Sequence, residues 1–190
     1  MAGSDCSDAY ALLGLPRTLV GDEESVRAAH RAAVLACSQG AMPGSAASLN
    51  EARDVLLDPA RRVKHWLGLC GWNRWQAVPL SEEFMEFFSR LGPIIHQAQD
   101  LSRQLSRQST ALGRASLAPR VLALRRQLEF CSEQLRGLQD PILASLRLLD
   151  DHGQPLAEEQ LASVAMDQAR LAYLVKWRHQ ISQALGALFF

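Results

Sequence analysis

From Val121 onward, apolar residues recur three and four apart: Val121, Leu124, Leu128, Cys131, Leu135, Leu138, Ile142 and, past Ser145, Leu149. A strand would turn alternate members of such a run to opposite faces, whereas a helix gathers them on one side. One stripe cannot bury itself, and the flanking segments supply its partners. Before it come Phe84, Phe87, Phe88, Leu91, Ile95 and Ala98; after it come Leu171, Leu174, Ile181, Leu185 and Leu188. Strand signals are almost absent elsewhere. The pattern therefore predicts an all-α protein whose second half, residues 80–190, is a three-helix bundle with a coiled-coil-like seam. Pro141 inside the long run predicts a bend without a change of face. Gly92-Pro93 removes a backbone bond and predicts a kink or a division of the first bundle helix. The polar repeat "LSRQLSRQ" at 101–108 reads as a frayed helix end or a loop, "DDHGQP" as a turn, and Pro155 as the opening of the last helix.

The first half is built from shorter pieces. Ser7 to Gly14 reads as a capped helix ending at glycine, and the acids at 22–24 suit the start of a second helix from about Glu23 to Ser38. Val26, His30, Ala33 and Cys37 share a face of that helix, and "SQGAMPGS" breaks it. Then "NEARDVLLDPARRVKHWLGLCGW" stops one apolar helix at Asp58-Pro59 and starts another. Leu49, Ala52 and Leu56 line the first, and Val63, Trp66, Leu67 and Cys70 the second. Asp58 can cap the second helix and Pro59 fits its first position, where no N–H is needed. "GWNRWQAVP" reads as a linker, so the expected division is 1–76 and 80–190.

Composition narrows the function classes. The 190 residues are 48% hydrophobic and 21% charged, and Lys plus Arg equals Asp plus Glu, so the formal net charge is zero. Phosphate binding needs a basic surplus, which argues against nucleic acid as partner. The clusters Arg61-Arg62, Arg125-Arg126 and Arg103 to Arg114 read as solvated helix faces. Cys6, Cys37, Cys70 and Cys131 form no C-x-x-C pair, and two fall on apolar helix faces, which fits a reducing compartment. The start "MAGSDCSDAY" is acidic without an apolar run, and no segment approaches the ~20 apolar residues of a membrane span. The expectation is a soluble, cytoplasmic protein with no membrane or nucleic-acid partner.

Enzyme chemistry finds no purchase. The histidines at 30, 65, 96, 152 and 179 lack a second ligand at metal spacing except in His65-x4-Cys70, and those two side chains point about 140° apart on a helix. Glu82-Glu83 and Glu158-Glu159 lie at helix starts, where acids complement the dipole. No glycine-rich phosphate loop or G-x-S-x-G elbow occurs. No catalytic residue, metal or cofactor is expected. Trp66, Trp72 and Trp75 surround the linker and Trp177 lies in the last helix; packing is the favoured role for them over binding.

A short helix ending "YALLGL", a second helix, a loop and then "LNEARDVLLDPARR" resembles a J-domain, in which two longer helices pack antiparallel and a fourth follows the corner. The continuation "RRVKHWLGLCG" is similar to the HscB type, the J-domain co-chaperones of iron–sulfur cluster assembly, and "ARLAYLVKWRHQISQAL" looks like that family's last helix. The resemblance covers nearly the whole chain. It implies a co-chaperone whose bundle binds the cluster scaffold protein (IscU) and whose J-domain engages a chaperone of the HscA or DnaK class. One departure bears on the second contact. The chain contains no His-Pro-Asp, the tripeptide through which J-domains stimulate the chaperone ATPase, and the matching loop, Ser38 to Gly44, has neither His nor acid. The chaperone-facing helix keeps only Arg27, His30 and Arg31. Stimulation is therefore expected to be lost.

By motif position, the resemblance assigns scaffold or client binding to Phe84, Met85 and Phe88 on the first bundle helix and Tyr173 on the last, with Ser89 where the family has an acid. The apolar stripe argues that Phe84 and Phe88 are core. Met85 and Tyr173 lie off the stripes and are the better candidates for an exposed apolar contact. Two functions stay open: an HscB-like accessory protein that holds a scaffold or client without ATPase stimulation, or an assembly component reusing the scaffold for another protein contact, a homodimer included.

Overall fold

The computed structural model describes residues 8–39, 45–74, 81–152 and 155–189. Expectations placed on Cys6, on Ser7 as a helix start, on the centre of the loop at 40–44, on Trp75 and the rest of the linker to residue 80, and on the turn at 153–154 lie outside them. Among the described residues every regular element is helical: α1 (Ala9–Leu13), α2 (Glu23–Ser38), α3 (Ala46–Leu57), α4 (Pro59–Leu69), α5 (Glu82–Arg107), α6 (Ala111–His152) and α7 (Glu158–Ala187).

The chain divides into two compact units: Met1–Ala77 with Ile142–Ala172, and Val78–Pro141 with Tyr173–Phe190. The bundle expected over 80–190 is thus shared out. The end of α6 and the first half of α7 pack with the first 77 residues, and the remaining parts of both helices pack with α5.

In the first unit, caps explain why such short helices stand. Asp8 caps α1 by accepting from the N–H groups of Tyr10 and Ala11. Gly14 closes α1 at φ 64°, a left-handed conformation that a side chain would oppose. Asp22 caps α2, Ser45 forms a capping box with Ser48 on α3, and Asp58 accepts from Arg61 N–H with Pro59 opening α4. Helix α3 packs against α1, α2 and α4. Leu49, Ala52 and Leu56 are buried, as are Val63, Trp66 and Leu67. Cys70, placed by its spacing on the same face, is exposed at the C-cap of α4.

The second unit is an apolar seam. Phe84, Phe87, Leu91, Ile95, Ala98 and Leu101 on α5 are buried, and so are Val121, Leu124, Leu128, Cys131 and Leu135 on α6 and Leu174, Ile181, Ala184 and Leu188 on α7. Two sequence expectations need correction. Of the kink or division expected at Gly92-Pro93, the division does not occur: helix α5 runs on through Pro93, and it ends at Arg107 inside the repeat at 101–108. Burial of its stripe on both sides of Pro93 outweighs one lost backbone bond. Beyond Ile142 it is Leu146, fully enclosed, that carries the α6 stripe, while Leu149 is half-exposed; the four-residue step keeps the stripe on the 3.6-residue period. No described helix is long and apolar enough to cross a membrane.

Candidate functional site

The first bundle helix is launched by Ser81, whose hydroxyl accepts from Phe84 N–H, with Glu82 and Glu83 in the first turn. Its stripe then turns Phe84 and Phe87 inward, which forces the residues between and beside them to the rim. Phe84 is buried at 8% exposure, Phe88 is intermediate, and Met85 stands out at 58%. On α7, Leu174 and Ile181 face inward, leaving Tyr173 42% exposed and Trp177 partly so, one turn further along.

Phe88 and Trp177 meet face to face, with ring centroids 5.2 Å apart and planes 15° from parallel. Phe84 and Phe87 brace Phe88 edge-on at 5.9 Å and 5.7 Å. Helices α5 and α7 run in the same direction, since Leu105 and Ser106 further along α5 share a hollow with Ala187 and Phe189 further along α7. Met85 and Tyr173 each sit one turn before the stacked pair and so lie at the same end of it. The result is a small apolar platform: a rigid aromatic stack with an adaptable Met and an amphipathic Tyr on its open side. The stripe in the sequence locates Phe84 and Phe88, whereas for Trp177 the sequence favoured packing over binding. Its i+4 spacing from Tyr173 was the signal that joins it to the platform.

The residues assigned to a chaperone contact occupy the outer side of α2. Arg27 pairs with Glu23 at 3.3 Å, Arg31 with Glu24 at 2.9 Å, and His30 bonds Asn50 of α3 at 3.0 Å. Each cation is answered on its own helix, so the face projects little net positive field.

A cluster of buried titratable groups lies instead around α1. His65 Nε2 accepts from Ala9 N–H at 3.0 Å and its ring stacks on Tyr10. A nitrogen that accepts carries no proton, so the imidazole is neutral there, and burial holds its pKa below the ordinary value against the pull of Asp8. Asp8 works against its own burial, but the bonds from Arg17, Ala11 and Tyr10 keep its carboxyl below the usual range. Burial pushes the Tyr10 hydroxyl far up, and it donates to Thr18 carbonyl at 2.7 Å. Asp150, in the last turn of α6, accepts from Leu19 and Val20 N–H at 2.8 Å and 3.0 Å. Buried Arg62, its pKa lowered by desolvation, is favoured by the charge of Asp150. Asp8, Tyr10, His65 and Asp150 are all bonded to the chain itself, which makes the cluster a structural lock, while Arg62 Nε is buried with no hydrogen-bond partner among the described residues. Among the described residues no three His, Cys, Asp or Glu side chains gather as metal ligands.

No protein-family model matches the sequence, and no curated protein gives a sequence match. The fold does have a solved counterpart. It is similar to the chaperone HscB from Vibrio cholerae, with a TM-score of 0.53 and 18% identity over 96% of this chain and 99% of that one. At that identity the likeness concerns architecture, and it establishes this chain as an all-α protein with a J-domain-like set of helices followed by a helical bundle.

Proposed function

We propose that this chain is an HscB-like accessory protein that holds a protein partner on the platform of Met85, Phe88, Tyr173 and Trp177. The observation that carries the reading is the Phe88–Trp177 stack flanked by exposed Met85 and Tyr173. Exposed aromatic and Met side chains on a rigid support are the residue types that become binding hot spots once water is excluded around them. The partner is an iron–sulfur scaffold of the IscU kind or another client with an apolar contact face. A chaperone of the HscA or DnaK class is not stimulated, because the His-Pro-Asp is missing and the cations of α2 are neutralised on their own helix. That same neutralisation favours a second reading, an assembly component that keeps the scaffold and has exchanged the partner.

Titration of the scaffold protein onto Met85→Ala and Tyr173→Ala tests the first reading. A hot spot loses about 2 kcal/mol of binding, roughly thirtyfold in Kd, while the fold stays intact. Normal binding by both variants refutes the platform as the site. A single-turnover ATPase assay with an HscA-class chaperone tests the other half: no acceleration is expected, and stimulation abolished by Arg31→Ala overturns it.

A further inference from the structure

Helix α6 has a second face that neither the seam nor the platform uses. Leu122 and Phe130 are 57% and 60% exposed, and Arg126, Glu129, Glu133 and Gly137 between and beyond them are exposed too. At about 100° per residue these six positions fall within a sector of about 100°, centred opposite Leu124, Leu128, Cys131 and Leu135. Large exposed apolar residues on an otherwise polar helix call for a cover, and the order of charges along the face says which one.

We propose that this face pairs with the same face of a second copy of the chain, α6 against α6, antiparallel about a two-fold axis between Glu129 and Phe130. In an isologous contact each residue meets the one equally far on the other side of the axis. Counting outward, Phe130 meets Glu129 of the second copy, Arg126 meets Glu133, and Leu122 meets Gly137. The two outer pairs are therefore complementary. Opposite charges face each other twice by symmetry, and each Leu122 enters the gap left by a glycine, which lets the backbones approach. Phe130 lies beside the axis with Arg126 of the second copy one turn away, close enough for the guanidinium to cover its ring. In a parallel pairing the face would oppose each residue to itself, Arg126 to Arg126 and Glu133 to Glu133, so the antiparallel sense follows from the charges. One helix against one helix buries less than the about 800 Å² per partner of a standard interface, so the dimer is weak and concentration-dependent. The proposal is independent of scaffold binding, because none of its residues belongs to the platform.

Sedimentation of the full chain from about 10 μM to 1 mM reads the equilibrium over the range of a weak association. A monomer–dimer transition is expected there, and a chain that stays monomeric throughout overturns the proposal. Arg126→Glu and Glu133→Arg, each setting like charges against each other twice, should raise the dimer dissociation constant about tenfold or more. The double variant Arg126→Glu/Glu133→Arg restores both pairs and should return the constant to near that of the original chain. Single variants that dimerise unchanged, or a double variant that fails to recover, would show that the dimer uses another face or register. All these positions are exposed, and circular dichroism of each variant separates loss of pairing from loss of fold.

Discussion

The two compact units hold together by different means. In the first, α1 to α4 are 5, 16, 12 and 11 residues long, and their buried apolar faces are supplemented by placed polar bonds: His65 of α4 to Ala9 of α1, Tyr10 to Thr18, and Asp150 of α6 to Leu19 and Val20. In the second, the helices are long and the closure is an apolar seam from Phe84 to Leu188. A seam is tolerant, because no single contact in it is directional. A polar lock is specific, because a buried donor left without its acceptor costs its full desolvation. The unit made of short pieces is accordingly the one whose geometry depends on single atoms.

Four experiments press on that contrast. The largest effect belongs to the seam: Leu128→Ala or Leu135→Ala, at sites 0% and 3% exposed, should lose about 2–5 kcal/mol in denaturant unfolding through lost burial and a cavity. A loss below about 1 kcal/mol would show that the α6 stripe is not core. Next comes the lock. Asp150→Ala strips the acceptors from two backbone N–H groups and the neighbouring charge from buried Arg62, and should cost about 2 kcal/mol. If Asp150→Ala is neutral, water replaces the carboxylate there and the unit does not depend on it.

The third effect is smaller and is read against pH. Burial holds the folded His65 below its ordinary 6.5, so the unfolded chain takes up the proton first. Stability should be complete above about pH 6.5 and fall as the pH drops below it; Asp8, held below its ordinary 3.8 when folded, adds a second decline at more acid pH. His65→Gln, which can still accept from Ala9 N–H but does not titrate near neutrality, should remove the first decline and leave the second. Unchanged acid sensitivity in His65→Gln would place the titrating group elsewhere. The smallest effect is on the platform: Met85→Ala and Tyr173→Ala should shift stability by less than about 0.5 kcal/mol, since both side chains are largely outside the seam. A larger loss would make them core and remove them as binding candidates.

The helices were legible because each signal acts over a few residues. Asp22 and Asp58 as caps, Pro59 at the first position of α4, and the 3-4 spacing of Leu124, Leu128 and Leu135 depend only on neighbours along the chain. Pro93 misled toward a division because it is a local breaker, and the stripe on either side, Leu91 before and Ile95 to Leu101 after, overrode it. The exposure of Met85 and Tyr173 was legible, because both positions lie off the stripes. The place of Trp177 was not, because stacking on a residue far away in sequence leaves no local mark.

By itself, then, the sequence determined an all-α chain, the caps and corners of its first half and the apolar faces of its second, all of which follow from covalent geometry and periodic burial, and it shows directly that His-Pro-Asp is missing. The tertiary structure alone decided which helix segments pack as one unit, and that Asp150 seats on the N–H groups of Leu19 and Val20. An acid in the last turn of a helix runs against the dipole and needs an acceptor's role somewhere. Where that role lies depends on which distant backbone donors folding brings within hydrogen-bond reach, and no spacing along the chain encodes it.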